Sequence, residues 1–130
     1  MRGRACYEII MADPFLDALT HLVDSVPGVT GAAFTDLDGE EIAVHPRARR
    51  EALRLAAAYE GIALRRLGQA EVKAGRTNAQ TLVVRGGDGA LVALRVGDQY
   101  QLLVQAQRGT PPERVLFEAQ QTKRTLEANL

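Results

Sequence analysis

Apolar residues recur every three or four positions in three segments of the chain, a spacing that predicts amphipathic helices. The first helix begins at Asp13-Pro14, because aspartate caps a helix well and proline suits the first helical position. The last begins near Thr110, with Glu113 three residues further on, as in a capping box. The stripe of the first helix comprises Phe15, Leu19, Leu22, Val23 and Val26, and that of the last comprises Val115, Ala119, Thr122 and Leu126.

The middle helix, predicted at residues 47–67, differs from the other two because it has apolar residues on two faces. A helix on the outside of a small domain needs only one buried stripe, so the excess indicates that a second surface covers it. Gly61 lowers helix stability and marks a close contact. The alternative is that the domain's own sheet and loops cover both faces. One face comprises Ala52, Leu55, Ala56, Tyr59, Ile62 and Ala63, and the other comprises Leu53, Ala57, Leu64 and Leu67.

Five segments between these helices have the pattern of β-strands. Residues 29–35 are small or apolar on both faces, as in a strand that is covered on both sides. Asp36-Leu37-Asp38-Gly39 turns the chain into a second strand at 41–44. Glycine-containing turns join the strands at 81–85, 90–96 and 100–107. We therefore predict the order α-β-β-α-β-β-β-α in one domain at 11–130, with residues 1–10 as an extension outside the fold or, alternatively, a short ordered arm.

The composition narrows the classes of function. Apolar residues make up 46% of the chain, and 16 basic residues balance 16 acidic ones. A neutral chain with 5% aromatic residues and no Trp is a poor candidate for nucleic-acid binding, which needs a basic surface or stacking aromatics. Cys6 is the only cysteine, so an internal disulfide is impossible and a reducing cytoplasm fits best. No apolar run approaches the roughly 20 residues of a membrane span, so we expect no membrane insertion.

Residues that often carry chemistry form no recognisable site. Asp36 and Asp38 lack the remaining ligands of a calcium loop and suit a tight turn instead. The Gly-Gly-Asp-Gly cluster at 86–89 leads into a strand, whereas a phosphate-binding loop leads into a helix. His21 and His45 are too few for a metal centre. We therefore expect no cofactor, no metal and no active site.

Two motifs around the first strand resemble those of a known family. Pro27-Gly28-Val29-Thr30-Gly31-Ala32, followed by Asp36-Leu37-Asp38-Gly39, is similar to the start of the roadblock family, which includes dynein light chains and bacterial regulators of Ras-like GTPases. The resemblance implies an α+β fold, a three-layer α/β/α sandwich with a five-stranded antiparallel sheet in the order 2-1-5-4-3. It also implies structural roles in the first hairpin for Pro27, Gly28, Gly31, Asp36, Asp38 and Gly39.

The resemblance further implies a protein that acts by binding other proteins. Two copies would pair through their middle helices and third strands, and the implied partner is a small Ras-like GTPase, regulated without a nucleotide site in this chain. The alternatives are a heterodimer with another roadblock protein, a small-ligand sensor, or a scaffold subunit with no GTPase partner. We expect Leu53, Ala57, Gly61, Leu64, Thr81 and Val83 at the dimer interface, and Arg47, Arg50 and Arg54 at the partner-binding surface.

Overall fold

A computed structural model describes residues 13–77 and 79–130, and the expectation for residues 1–10 lies outside the described residues. The order of helices and strands is the one that the sequence predicted. The elements are α1 (Pro14–Ser25), β1 (Val29–Asp36), β2 (Glu41–His45), a 3₁₀ turn (Arg47–Arg49), α2 (Arg50–Lys73), β3 (Thr81–Gly86), β4 (Gly89–Val96), β5 (Tyr100–Gln107) and α3 (Pro112–Ala128).

The strands form one five-stranded antiparallel sheet in the order β2-β1-β5-β4-β3, which confirms the predicted fold class and strand order. α1 and α3 pack on one face of the sheet and α2 packs on the other. β1 is covered on both sides, as predicted. Ala32 and Phe34 belong to the core under α1 and α3, and Ala33 belongs to the core under α2.

The larger core lies between the sheet and the pair α1 and α3. Its central ring is Phe34, which packs against Phe15 and Tyr100 with ring centroids 5.3 and 5.6 Å apart. Asp13 caps α1 as predicted, because its Oδ1 accepts hydrogen bonds from the backbone N–H groups of Phe15 and Leu16 at 3.0 and 3.1 Å. The cap therefore directs Phe15 onto the sheet at the first turn of α1.

The capping box predicted at Thr110 and Glu113 does not form. The residue that precedes α3 is Pro111, and no side chain caps this helix. Thr110 lies instead against Gly28, where an added Cβ would overlap the threonine hydroxyl. Gly28 also has a φ of +98°, a conformation that favours glycine. Gly28, which follows Pro27 after α1, therefore lets the segment that leads into α3 come close to the backbone between α1 and β1.

α2 packs on the sheet through the face that the sequence assigned to the dimer interface. Leu53, Ala57 and Leu64 have no exposed surface, and Gly61 is buried with them. These four positions cannot contact a second copy of the chain, because the domain's own sheet occupies them. Their prediction as interface residues is therefore wrong. The smaller core that they join includes Ala33, Val44, Ala93 and Leu103.

Gly61 does mark a close contact, but with the chain itself. A Cβ at this position would overlap the carbonyl oxygen of Leu37 in the β1–β2 turn and would lie 3.0 Å from Nε2 of Gln101. The same Nε2 donates hydrogen bonds to the carbonyl oxygen of Ala57 at 2.6 Å and to the hydroxyl of Thr35 at 3.2 Å. The buried Gln101 amide thus joins α2 to the middle of the sheet.

The acidic β1–β2 turn is held by its own side chains. Asp36 Oδ1 accepts hydrogen bonds from the backbone N–H groups of Asp38 and Glu40, both at 2.9 Å. Gly39 has a φ of +90° and packs against α2, where a Cβ would lie 2.9 Å from that of Ala58. Gly31, earlier in β1, lies so close to α2 that a Cβ would be 2.9 Å from Cδ1 of Leu53. The hairpin therefore positions α2 across the sheet.

α2 continues past Leu67, the end that the sequence predicted, to Lys73. Gly68 follows the predicted end, and glycine disfavours a helix by about 1 kcal/mol relative to alanine. Gly68 is buried on the inner face of α2, and packing of that face outweighs the local cost.

Candidate partner-binding surfaces

The face of α2 that points away from the sheet is apolar and exposed. Leu55, Tyr59 and Ile62 follow one another at spacings of four and three residues, so they form one stripe. Their exposed fractions are 61%, 66% and 42%. We call Leu55, Tyr59 and Ile62 the outer α2 face. A contiguous apolar surface of this kind is typical of a protein–protein contact.

β3 is an edge strand beside the same core. It pairs with β4 on one side, and within the described residues its other edge is open. Val83 and Val84 are each 40% exposed, and Thr81 is half-buried at the start of the strand. Leu82 of β3 and Ala56 of α2 both pack against the smaller core. α2 and β3 therefore both contribute to the smaller core.

The three arginines predicted to contact a partner have different surroundings. Arg50 Nε lies 2.6 Å from Glu41 Oε1, and this hydrogen bond, with the carboxylate charge, raises the pKa of Arg50. Arg54 is half-buried, with Nη1 3.9 Å from Oε1 of Glu51. Arg47 is exposed in the 3₁₀ turn. Of the three, Arg47 is the arginine whose charge is most open to a partner.

An open cavity of about 450 Å³ lies next to Arg49. Arg49 Nε donates a hydrogen bond to Oε1 of Gln105 at 3.0 Å, and the Thr30 hydroxyl lies 3.4 Å from the same oxygen. The turn at 86–89 lines the cavity and joins β3 to β4 as a hairpin. This cluster therefore has the turn role that the sequence predicted, and it leads into a strand.

Glu60 is a partly buried carboxylate on α2. Its Oε2 is enclosed and has no hydrogen-bond partner among the described residues. Burial raises the pKa of the side chain above its ordinary value of 4.5. The sequence did not single out this residue, because one acidic residue in a helix of mixed faces has no distinctive pattern. The structure identifies it as a group whose ionisation opposes folding.

We expect Glu60→Gln to stabilise the domain near neutral pH. Because the folded-state pKa lies above 4.5, the ionised carboxylate is disfavoured in the folded chain. This penalty is absent below pH 4.5, grows as the pH rises through the folded-state pKa, and is complete above it. Urea unfolding from about pH 4 to about pH 8 should show a gain in stability that increases with pH. The exposed Glu113→Gln serves as the control, and a gain for Glu60→Gln that is equal at every pH would contradict this explanation.

Other polar groups that hold α2 and the 3₁₀ turn in place were also missed. Glu41, Gln101 and Gln105 act through contacts with α2 or the 3₁₀ turn, and such pairings leave no signal in the local sequence. Among residues 13–77 and 79–130, no group of three or more His, Cys, Asp or Glu side chains could hold a metal ion. None of the helices in those ranges is long and apolar enough to cross a membrane.

No protein-family model and no curated protein sequence matches this chain, but solved structures do. MglB of Myxococcus xanthus superposes with a TM-score of 0.78 at 14% identity, over 88% of this chain and 86% of the other. A Roadblock/LC7 domain from Streptomyces avermitilis gives 0.78 at 19% identity, over 88% and 95%. Profilin IB of Acanthamoeba castellanii gives 0.63 at 14% identity, over 88% and 98%. The strand order of the sheet, the helices on both of its faces and these superpositions together show that the chain has a roadblock-type fold.

Proposed function

We propose that this chain is a non-enzymatic, homodimeric module of the bacterial cytoplasm that binds a small Ras-like GTPase and regulates or scaffolds it. The observation that carries the proposal is the outer α2 face, an exposed apolar stripe, together with an open sheet edge at β3 in a roadblock-type fold. A shared fold alone does not define a function, as the profilin superposition illustrates. The GTPase enters through the resemblance of residues 27–39 to bacterial regulators of such enzymes.

The dimer that fits these surfaces has two-fold symmetry. A two-fold axis places the same patch of both copies in contact, so α2 would pack on α2 and β3 would pair with β3. Such pairing would satisfy the unpaired backbone N–H and C=O groups of the β3 edge and would bury the outer α2 face. We therefore assign the interface to Leu55, Tyr59 and Ile62, and retain Thr81 and Val83 on the edge strand.

The GTPase would dock where the two copies meet. A symmetric dimer has two Arg47 side chains, one near the start of each α2. Charged residues at the rim of an interface speed association with a partner of opposite charge. Such a dimer would stimulate hydrolysis by reordering the switch loops of its partner or by supplying an arginine. Neither route requires a nucleotide site in this chain.

Charge reversal at the 3₁₀ turn should weaken binding of the GTPase. We expect Arg47→Glu to lower the association rate with the GTP-bound form of a Ras-like GTPase encoded beside this gene, with little change in the dimer. The difference from the native chain should shrink as salt is added, because exposed charges are screened. Surface plasmon resonance with the GTP- and GDP-bound forms, at two salt concentrations, measures both effects.

Arg124→Glu provides a matched control, because Arg124 is also an exposed arginine and lies on α3, across the sheet from α2. It should leave the association rate unchanged. Equal association rates for the native chain and Arg47→Glu would show that the docking surface lies away from the 3₁₀ turn. If the native dimer binds neither nucleotide form, the GTPase proposal fails, and a scaffold with another partner becomes the better explanation.

A further inference from the structure

Arg95 is a nearly buried cation without an acidic partner in the described part of the chain. It lies on β4, on the sheet face that α2 covers, and is 8% exposed. Its Nε donates one hydrogen bond, to the carbonyl oxygen of Ala79 at 3.1 Å. A guanidinium has five N–H donors, and no other side-chain hydrogen bond joins Arg95 to the described residues. Burial of a charge is costly unless the charge is paired or hydrated. None of the Arg95 nitrogens is among the enclosed, unpartnered atoms of the described residues, so its remaining donors can meet water or a ligand.

An open cavity of about 400 Å³ adjoins Arg95, between the C-terminal half of α2 and the sheet. Two more cations, Arg65 and Lys73, line it, and neither Asp nor Glu is among the described residues of the lining. Asp38 lies outside the lining, 3.2 Å from Nη2 of Arg65, and offsets part of that charge. The described lining consists of Arg65, Gly68, Gln69, Val72, Lys73 and Arg95.

The chemistry of the lining defines the kind of ligand. Guanidinium groups bind carboxylate and phosphate oxygens through two parallel hydrogen bonds, and three cations around one space favour an anion. The remaining lining is mainly apolar, from Val72 and the aliphatic parts of the other side chains. Small-molecule sites have this character, with volumes of roughly 300–1,000 Å³ and a few converging polar groups.

We propose that this cavity binds a small organic anion, a carboxylate or a phosphate ester with a short apolar body. The Arg95 guanidinium pairs with the anionic group, Lys73 adds charge at the mouth, and Val72 contacts the apolar part. The site is separate from the outer α2 face and does not depend on the proposed function. Ligand binding would cross-link α2 to β4, because the cavity is lined by residues of both.

Calorimetry on the purified full-length chain, without any GTPase, tests this site. The probes are hexanoate, hexyl phosphate, inorganic phosphate and the neutral hexanamide. We expect saturable binding of hexanoate or hexyl phosphate with a Kd of about 1 mM or lower, which ligands of this size can reach. Hexanamide should not bind, because it lacks the charge. The organic anion that binds more tightly identifies the anionic group that the site prefers. If inorganic phosphate binds more tightly than either organic anion, the proposed contact with an apolar body is wrong.

Two variants locate the binding. Arg95→Met should weaken it at least about tenfold, since it removes a charge-assisted pair of hydrogen bonds. Lys73→Met alters only an exposed side chain, so it keeps the test valid if Arg95→Met does not fold, and it should weaken binding severalfold. Lys123→Met, at a half-buried lysine of α3, is the control and should have no effect on binding. Absence of saturable binding by both organic anions, or equal binding by the native chain and Lys73→Met, would overturn the proposal.

Discussion

Leu64→Ala should destabilise the domain by about 2–5 kcal/mol, the usual cost of a cavity left by a buried leucine. Leu64 has no exposed surface and belongs to the smaller core under α2. Because small domains are stable by only about 5–15 kcal/mol, this is a large fraction of the total. Leu64→Glu should abolish folding, since it would place a carboxylate in an apolar core. Urea unfolding followed by circular dichroism measures both.

The exposed Phe117 on α3 provides the control for this experiment. It is 59% exposed, so Phe117→Ala should change stability by about 0.5 kcal/mol or less. A folded Leu64→Glu protein that has changed only from dimer to monomer would show that α2 presents the opposite face to the sheet. That result would restore the interface assignment that the sequence pattern favoured.

The combined substitution Leu55→Glu and Tyr59→Glu should convert the dimer into a folded monomer. Both side chains are more than half exposed in the single chain, so the substitutions leave the cores intact. In a symmetric dimer the four new carboxylates would lie together in a water-excluding interface, and a buried charge without a partner costs several kcal/mol. Light scattering during size-exclusion chromatography should show the monomer mass, with the far-ultraviolet spectrum of the native chain.

Glutamates at exposed α3 positions are the matched control for that experiment. Gln120→Glu combined with Gln121→Glu adds acidic residues to another exposed helix and should leave the dimer intact. If the native chain is a monomer at micromolar concentration, the homodimer in the proposed function is wrong. A variant that remains dimeric would show that another surface, such as the β3 edge alone, holds the two copies together.

These experiments separate the proposals from one another. Loss of the dimer without loss of anion binding would show that the cavity around Arg95 is formed within a single chain. GTPase binding that is lost in the monomeric variant but retained in Lys73→Met would place the partner at the dimer surface. The reverse result would connect the anion site to GTPase docking.

The amino-acid sequence determined the elements whose signals are local. Asp13-Pro14 predicts the start of α1 because a cap needs only the next few backbone N–H groups, and the structure shows that cap. Strand positions follow from runs of apolar residues between turns, and all five strands form where they were predicted. The strand order came from the resemblance of the motifs at 27–32 and 36–39, since spacing alone does not select one sheet topology.

Only the tertiary structure decided which face of α2 packs on the sheet. Both faces are apolar, so the hydrophobic pattern could not choose between them. Close packing against the β1–β2 turn and Gln101 requires small residues, and the face with Ala57 and Gly61 provides them. Leu55 and Tyr59 therefore remain outside. The cavity beside Arg95 was equally hidden from the sequence, because α2 and β4 lie apart along the chain and converge only when the helix crosses the folded sheet.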